Sequence, residues 1–263
     1  MALALEILIA TQDRSDLAFL KYMFPAGHDE FNLLIINQTT EDNFIDEKSL
    51  PGNVRVINSL ERGLSKSRNL ALRYASKDVL LLADDDVRYE EGFHQTVLKA
   101  HEQYPSTVLI FPIKDENGRY LGAYPGDTKS MDDFWDVFSP QISIKRKYWA
   151  RNPVFFDENF GLGAPYPDAE NFIFLNELKD RKTDILFINT EPIAMHPRSN
   201  SSAFLERDSN FKTRLMIIKK YRPHLLWPYF FKLLFSLWIR NRISVGDFGR
   251  KWRIFKEVLS GKG

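Results

Sequence analysis

The sequence contains no cysteine among its 263 residues, which excludes disulfide bonds and thiolate metal sites. A chain without disulfides fits a reducing compartment. The sequence also lacks an apolar run of about 20 residues, the length that a membrane-spanning helix requires. It has neither a glycine-rich phosphate-binding loop nor a histidine-rich metal motif. Any metal chemistry must therefore rest mainly on oxygen ligands.

The composition is that of a folded chain. Hydrophobic residues make up 44%, with 21 Phe and 10 Tyr, which argues against disorder and allows a sizeable core. The length suits one large domain, or one domain with an appendage. The opening segment MALALEILIA has no basic leader, and Glu6 interrupts its apolar run. We therefore expect a first strand there and not a signal peptide.

The charge is nearly balanced overall but unevenly distributed along the chain. The formal net charge is +1, yet residues 211–263 contain 13 Lys or Arg and 2 Asp or Glu, a net +11. The rest of the chain therefore carries a net −10. A basic tail on an acidic body indicates a polyanionic partner, either nucleic acid or an anionic lipid surface.

The first two-thirds of the chain alternate short apolar runs with helical stretches, which is typical of a βαβ series and a mostly parallel sheet. Runs nearly continuous in Ile, Leu and Val indicate strands buried on both faces. The predicted strands are 5–11, 31–37, 54–58 and 78–83. The predicted helices are 15–24, 65–75 and 90–104, the second with Ser65 as its N-cap.

Beyond residue 104 the pattern changes. Asn117-Gly118 is a hairpin signal between predicted strands 107–113 and 119–124. Further strands are predicted at 141–147, 184–189 and 192–196, with a helix that ends near Lys182. The segment SNSSAF at 199–204 is predicted to be a linker, followed by helices. We expect an α/β domain over 1–200, with halves 1–104 and 105–200, and a helical extension over 201–263.

The segment DVLLLADDDVRY ends an apolar strand in three aspartates. Residues two apart in a strand point to the same side, so Asp84 and Asp86 can present carboxylates to one point. That edge of an open α/β sheet is where ligands bind. A divalent cation would relieve the repulsion among Asp84, Asp85 and Asp86, and oxygen ligands suit Mg²⁺ or Mn²⁺. A solvated acidic turn is the alternative.

The segment RGLSKSRNLALRYAS, which precedes that strand, places Lys66 and Arg68 at a helix start. Basic residues are unexpected there, because the helix N-terminus already carries partial positive charge. An anion would resolve the conflict: backbone N–H groups, Lys66 and Arg68 could together hold a phosphate. Ordinary surface basic residues are the alternative.

Four motifs follow one another along the chain. They are a strand ending in Thr11, a second strand ending near N-Q-T-T, then G-L-S-K-S-R-N, then L-L-L-A-D-D-D-V. Their order and spacing resemble the family-2 glycosyltransferases, which have the GT-A fold. The similarity covers roughly residues 3–200, judged by motif order.

The resemblance implies a nucleotide-sugar donor, most often a UDP-sugar, and transfer with inversion. Asp84 and Asp86 would be the D-x-D pair that holds Mn²⁺ or Mg²⁺ against the diphosphate, with Arg68 near the phosphates. Asn37 stands where many members have Asp for base recognition. The residues expected to contact the donor are Thr11, Asp13, Asn37, Lys66, Arg68, Asp84, Asp85 and Asp86.

A later region, Phe156 to Gly163, resembles the family pattern F-D-E-x-F-G-x-G, which precedes an acidic pair on a helix. Here P-D-A-E-N offers Glu170 at the first position and Asn171 at the second, where members often have the catalytic base. The resemblance implies that Glu170, or else Asp168, accepts the proton of the acceptor hydroxyl, and Glu170 is preferred. A helix-start carboxylate favoured by the dipole is the alternative.

His196 follows the last short predicted strand, where related sequences often have a histidine that completes the metal or phosphate site. Neutral imidazole is a reasonable Mn²⁺ ligand, so His196 is a candidate third ligand, with a structural histidine as the alternative. Arg198 is a candidate for diphosphate binding. The histidines predicted to lie at the surface are His28, His94, His101 and His224.

The extension is strongly apolar over 225–239 but too short for a membrane span. Its aromatic and basic residues, among them Trp227, Trp238 and Arg240, suit an interfacial helix on anionic lipid. The segment RKWRIFKEV repeats that chemistry. A helical pair packed on the catalytic domain or on a second subunit is the alternative.

The predicted protein is a hexosyl- or N-acetylhexosaminyltransferase that acts on a glycan or lipid-linked oligosaccharide in bacterial surface polysaccharide synthesis. It would work peripherally at the inner face of the cell membrane, without nucleic acid, and an oligomer is compatible with the sequence. One alternative is a catalytically degenerate nucleotide- or glycan-binding subunit on the same fold. Another is a nucleotidyltransferase or metal-dependent phosphohydrolase that uses the Asp cluster.

Overall fold

The structure is a computed structural model that describes residues 2–46, 48, 50–122, 124–131, 133–197 and 205–261. The chain divides into two compact units, residues 1–158 with 170–198 and residues 159–169 with 199–263. The predicted linker at 199–204, the predicted boundary at residue 200 and Arg198 lie outside the described residues.

The first unit contains short strands and helices in alternation. Its strands are β1 (Leu5–Gln12), β2 (Asn32–Gln38), β3 (Val54–Ser59), β4 (Val79–Asp84), β5 (Arg88–Tyr89), β6 (Val108–Ile110), β7 (Ile113–Lys114), β8 (Tyr120–Leu121), β9 (Lys129–Ser130), β10 (Ile142–Lys145), β11 (Ile185–Phe187) and β12 (Ala194–Met195). Its helices are α1 (Leu20–Met23), α2 (Leu64–Tyr74), α3 (Phe93–Gln103), α4 (Arg146–Trp149) and α5 (Glu170–Asp180), with 3-10 turns at Glu41–Asn43 and Ser139–Gln141.

The larger sheet has 8 strands in the order β3-β2-β1-β4-β10-β6-β11-β9. Strands β3, β2, β1 and β4 are parallel to one another, whereas β10 runs antiparallel to both β4 and β6. A smaller sheet has the order β5-β12-β7-β8. The predicted α/β class with a mostly parallel sheet flanked by helices is confirmed.

The central strands are buried along nearly their whole length. Residues 5–11 of β1 and 79–83 of β4 are buried, as expected for apolar strands covered on both faces. The register pairs Ala10 with Asp84 and Thr11 with Asn37. The carboxyl ends of β1, β2 and β4 therefore meet at one edge of the sheet.

The predicted helix 15–24 is shorter in the structure, Leu20–Met23, and two further local predictions are wrong in detail. Helix α2 begins at Leu64 with Gly63 as its N-cap, so Ser65 lies inside the first turn. Gly63 has φ 128°, a conformation that glycine adopts without strain, which explains why the helix starts there. The predicted strand 107–113 is two strands, because Pro112 lies between β6 and β7 and has no N–H to donate.

The hairpin predicted at Asn117-Gly118 is confirmed. Strands β7 and β8 pair antiparallel across that turn, with Ile113 opposite Leu121. The Asp115 carboxylate accepts hydrogen bonds from the backbone N–H groups of Asn117 and Arg119, both at 2.9 Å. Gly118 has φ 75°, which the turn requires.

Glu6, which interrupts the first apolar run, is buried within β1. Its carboxylate accepts the backbone N–H of Ser76 at 2.6 Å and of Lys77 at 3.2 Å, and Arg55 pairs with it at 3.2 Å. A buried carboxylate with several donors keeps its charge at little cost. Glu6 therefore fastens the segment between α2 and β4 to the first strand.

His101 is buried and not at the surface, which corrects the prediction for this residue. Ser143 donates its hydroxyl hydrogen to the Leu80 carbonyl at 3.0 Å, so Nε2 of His101 must donate to Ser143 Oγ, at 2.8 Å. Burial, and then the charge of Lys145, lowers the pKa of His101 from 6.5 to about 3.

The second unit contains the helices α6 (Asp208–Tyr221), α7 (Leu226–Ile239) and α8 (Phe248–Ser260), with 3-10 turns at Pro223–Leu225 and Val245–Asp247. Phe230 of α7 stacks on Phe255 of α8 with ring centroids 4.2 Å apart, and Phe211 of α6 meets Phe230 edge-on. Lys251 is fully buried and pairs with Asp208 at 2.8 Å. None of the helices in the described ranges has the length and apolar character needed to cross a bilayer.

The depressed pKa of His101 predicts a loss of stability in mild acid. Between pH 6.5 and about 3 the unfolded chain binds a proton on this histidine that the folded chain does not. The free energy of unfolding should therefore fall as the pH drops through that window, by about 2 kcal/mol from about pH 7 to about pH 5. Denaturant unfolding of the wild type and of His101→Gln at both pH values measures this.

Since glutamine does not titrate, His101→Gln should lose less stability than the wild type between those two pH values. His224→Gln is the matched control, because His224 is exposed and its replacement should leave the wild-type pH slope unchanged. Equal slopes for His101→Gln and the wild type would contradict the assignment.

Candidate functional site

A polar cluster occupies the edge of the sheet at which β1, β2 and β4 end. These strands bring Thr11, Asn37 and Asp84 to neighbouring positions, with Thr11 and Asn37 buried. Asp85 and Asp86 follow β4 in a turn. Most of the residues predicted to contact a donor therefore lie at the carboxyl edge of the sheet, where open α/β sheets bind ligands.

Asp85 turns away from its two neighbours. Its Oδ2 accepts the Thr11 hydroxyl at 2.5 Å and pairs with the Arg14 guanidinium at 2.7 Å. Arg14 also lies over the Phe19 ring, with its Cζ 5.3 Å from the ring centroid. Arg14 therefore compensates the charge of Asp85.

Arg68 joins Asp84 to Glu170. One of its terminal nitrogens, Nη2, donates to Asp84 at 2.8 Å and to Ser139 Oγ at 2.7 Å, and the other, Nη1, donates to Glu170 at 2.9 Å. The Ser139 hydroxyl in turn donates to Asp84 at 2.7 Å. Arg68 is buried over the Phe156 ring, at 5.5 Å. One guanidinium thus ties α2, β4, α5 and the turn at Ser139–Gln141 together.

The pKa values in this network follow from the ion pairs. Burial alone would raise the pKa of Asp84, but the Arg68 charge and the hydrogen bonds from Ser139 and Arg68 outweigh it and hold that pKa below its usual value. Burial would likewise lower the pKa of Arg68, but the charges of Asp84 and Glu170 outweigh it, and the pKa is raised. Asp84 and Arg68 are therefore both charged at neutral pH.

Asp86 and His196 face each other beside Asp84. His196 Nε2 is 3.7 Å from Asp86 Oδ1 and 4.0 Å from Asp84 Oδ2. The other ring nitrogen, Nδ1, donates to the Pro197 carbonyl at 2.6 Å, since a carbonyl only accepts. Nε2 is therefore the ring nitrogen that faces the two carboxylates.

The pKa of Asp86 is raised. Burial makes the largest contribution, the charges of Asp84 and Asp85 add to it, and His196 partly offsets them. Its side chain is 51% exposed. Within the described network, arginines compensate Asp84 and Asp85, but no arginine compensates the charge of Asp86.

Asn37 is fully buried, and its amide is engaged within the fold. Its Nδ2 donates to the Arg14 carbonyl at 2.8 Å and to Asn58 Oδ1 at 3.0 Å, and its Oδ1 accepts the Arg14 N–H at 3.2 Å. Asn37 therefore holds the backbone at Arg14, whose side chain reaches Asp85.

Asp13 and Lys66, the outer members of the predicted donor set, each pair with a residue outside that set. Asp13 has φ 55° and forms a bidentate pair with Arg62, with both contacts at 2.7 Å. The hydrogen bonds from Arg62 lower the pKa of Asp13 to about 2. Lys66 pairs with Glu61 at 3.1 Å. In this structure Lys66 and Arg68 thus bind carboxylates of the chain itself.

The two predicted base candidates have different partners. Glu170, at the start of α5, contacts Arg68 in the first unit. Asp168 belongs to the second unit, where it pairs with Arg214 at 2.8 Å. The structure therefore brings Glu170, and not Asp168, into the network of Asp84 and Arg68.

Among the described residues, no group of three or more His, Asp or Glu side chains lies close enough together to hold a metal ion as the structure stands. The donor types of Asp84, Asp86 and His196 nevertheless suit Mg²⁺ or Mn²⁺, because Nε2 of the imidazole lies within 4.0 Å of an oxygen of each carboxylate.

Sequence reasoning missed Arg14 and Ser139. Arg14 lies two residues beyond the end of β1, so a search for cations beside each strand end would have found it. Ser139 precedes β10, which inserts antiparallel between β4 and β6. No local signal places its hydroxyl beside Asp84, because only the strand order brings them together.

Residues 24–162 match the family described as Glycosyl transferase family 2. Comparison with curated protein sequences gives no match.

Solved structures of TarS from S. aureus have a similar fold. A structure of TarS residues 1–349 has a TM-score of 0.60 at 15% identity and covers 97% of this chain and 81% of that one. The same protein in complex with UDP-GlcNAc gives 0.60 at 13% identity, and with UDP 0.56 at 14%, each with the same coverage. The fold is therefore of the GT-A type, and because the family match spans more than half of the sequence, the chain belongs to glycosyl transferase family 2.

Proposed function

We propose that this protein transfers a sugar from a nucleotide-sugar, with a UDP-sugar as the donor, to a glycan or lipid-linked acceptor with inversion. Family membership supports the reaction class. Structures of the similar protein TarS contain UDP and UDP-GlcNAc, which supports the donor class. The observation that carries the proposal is the buried Arg68, which holds Asp84 and Glu170 in one network at the carboxyl edge of the sheet.

The charge balance of the cluster favours a donor bound with a divalent cation. Arg14 and Arg68 offset only part of the charge of Asp84, Asp85, Asp86 and Glu170. Asp84, Asp86 and His196 would hold Mn²⁺ or Mg²⁺, which when bound would neutralise charge on the nucleotide diphosphate. We assign contact with the nucleoside to groups at the same edge of the sheet: Thr11, Asp13 and the backbone that Asn37 holds.

Glu170 is assigned as the base. As the acceptor hydroxyl oxygen attacks the anomeric carbon, its proton passes to the Glu170 carboxylate, and the bond from that carbon to the diphosphate oxygen breaks with its electron pair. The Arg68 guanidinium, 2.9 Å away, fixes the position of the Glu170 carboxylate. The developing positive charge at the sugar ring lies in a cluster rich in carboxylates.

The acceptor and the setting are proposed from the second unit. The basic residues of α6 to α8 suit a lipid-linked acceptor presented at the inner face of a bacterial cell membrane, in surface polysaccharide synthesis. The transferred group is assigned to the hexosyl or N-acetylhexosaminyl class.

A catalytically degenerate subunit on the same fold is the competing function. Asn171 at the second position of the acidic pair, within 3.3 Å of Arg68, favours it, because an amide cannot accept a proton as a base does. Such a subunit would bind a UDP-sugar with metal but would release no UDP. Transfer or hydrolysis of any nucleotide-sugar would exclude it.

The proposed ion site gives a prediction for Asp86. Mn²⁺ with the correct UDP-sugar, at about a hundredfold excess over Kd, should raise the Tm of the wild type by about 5–10 °C. In Asp86→Asn this increase should disappear, because a carbonyl oxygen replaces a charged ligand. A thermal-shift panel of nucleotide-sugars with and without Mn²⁺ measures both proteins.

Without ligand, the Tm of Asp86→Asn should equal or exceed that of the wild type, since the substitution removes repulsion from Asp84 and Asp85. Asp180→Asn, on the exposed end of α5, is the matched control and should keep the full ligand response. A full cation-dependent shift in Asp86→Asn would refute the assigned ion site.

The proposed base gives a prediction for Glu170. Glu170→Gln should keep the donor-induced Tm shift but release UDP from the identified donor about 10²–10⁴ times more slowly, because glutamine can still accept the Arg68 hydrogen bond but cannot take a proton. Hydrolysis of the donor, in which water replaces the acceptor hydroxyl, measures this rate of UDP release.

Asp168→Asn is the comparison for Glu170→Gln. Because Asp168 pairs with Arg214 in the second unit, its replacement should lower the Tm and leave the rate of UDP release within a few-fold of the wild type. The reverse pattern, with a slow Asp168→Asn and an active Glu170→Gln, would transfer the base assignment to Asp168.

A further inference from the structure

Helix α7 is apolar on two opposite faces. Leu226, Phe230, Leu233, Leu234 and Leu237 are buried within the second unit. The opposite face exposes Trp227, Phe231, Phe235, Trp238 and Ile239, of which Ile239 is 72% and Trp227 48% exposed. Residues spaced by three or four positions lie on one side of a helix, so these side chains form one stripe.

The stripe extends onto α8. The rings of Trp227 and Trp252 are 6.0 Å apart, and those of Trp227 and Phe231 are 6.4 Å apart. Phe235 and Trp238 both contact Phe248 edge-on. We call the exposed side chains of this stripe the aromatic face: Trp227, Phe231, Phe235, Trp238, Ile239 and Trp252.

Uncompensated positive charge borders the aromatic face. Residues 205–261 contain 13 Lys or Arg and four Asp or Glu. All four acidic residues are already paired: Glu206 with Arg242, Asp208 with Arg250 and Lys251, Asp247 with Arg250, and Glu257 with Lys212. Within the described ranges, no carboxylate pairs with the exposed cations Lys232, Arg240, Arg253 and Lys256.

We propose that the aromatic face docks on the headgroup region of an anionic lipid bilayer, with Lys232, Arg240, Arg253 and Lys256 contacting lipid phosphates. This inference rests on the proposed membrane location and names the surface that makes the contact. Helix α7 has 14 residues and is about 21 Å long, shorter than the hydrocarbon core of about 30 Å, so it lies in the plane of the membrane. Tryptophan rings beside basic residues match the interfacial region in polarity and charge.

The charge distribution favours lipid over a second copy of the chain. A symmetric contact through the aromatic face would bring the same cations together, and the acidic residues of 205–261 already pair with other basic residues. An anionic bilayer supplies both an apolar layer for the rings and a dense array of phosphates for the cations.

The test is flotation of the full chain with vesicles, without nucleotide-sugar. Vesicles of equal parts phosphatidylglycerol and phosphatidylcholine should bind the wild type, and vesicles of phosphatidylcholine alone should bind it at least about tenfold less. Lys232→Gln with Arg253→Gln should weaken binding about 25-fold, at about fivefold for each cation. Phe235→Ser with Ile239→Ser should weaken it at least about tenfold through lost apolar contact.

Tyr74→Ser and Lys99→Gln are the matched controls, because both residues are exposed in the first unit and should bind vesicles like the wild type. Equal far-ultraviolet circular dichroism and Tm establish that each variant is folded. Should a variant fail to fold, quenching of wild-type tryptophan fluorescence by brominated lipid reports insertion directly. Absence of such quenching would overturn the proposal.

The proposal is also overturned if vesicle binding is unaffected by lipid charge and by both double variants. It is likewise overturned if sedimentation shows that the chain dimerises through the aromatic face and that the double variants abolish the dimer. The donor-induced Tm shift should be the same in all these variants. If the protein does not bind vesicles, the proposed donor chemistry is unaffected. If the donor does not raise the Tm, the vesicle result can still be interpreted.

Discussion

The buried guanidinium of Arg68 is the constraint on which the rest of the site depends. It lies over Phe156 and holds Asp84 and Glu170 at hydrogen-bonding distance, so that two carboxylates 86 positions apart in sequence share one cation. Removing one partner of such a buried pair leaves an uncompensated charge, at a cost of about 3–5 kcal/mol. Positions of the carboxylates are therefore set by the fold before any ligand binds.

The aspartate triplet has divided roles because of this constraint. Asp84 faces Arg68, Asp85 faces Arg14, and Asp86 is left with His196. Adjacent carboxylates in an isolated turn would repel one another equally, whereas here two are compensated and the third has a raised pKa. The negative charge that remains lies at the open edge of the sheet, where a GT-A fold can receive a nucleotide diphosphate with its cation.

The second unit has the opposite electrostatic character. Its helices bury one face of α7 against Phe255 and leave the other face apolar and ringed by cations. In a water-exposed protein such a face is a liability unless something covers it. The same chain thus carries an acidic cluster suited to cation-assisted donor binding and a basic aromatic surface suited to lipid phosphates.

The sequence by itself determined the α/β class, the main strands, the hairpin at Asn117-Gly118 and the placement of Asp84 at a strand end, because apolar periodicity and turn chemistry are local. It did not predict the burial of His101, the roles of Arg14 and Ser139, or the pairing of Arg68 with Glu170. The role of Arg14 depends on β1 and β4 being neighbouring strands, and the others depend on β10 inserting antiparallel beside β4 and on α5 approaching α2. Contacts over such separations follow from strand order and packing, which no local pattern encodes, so only the tertiary structure decided them.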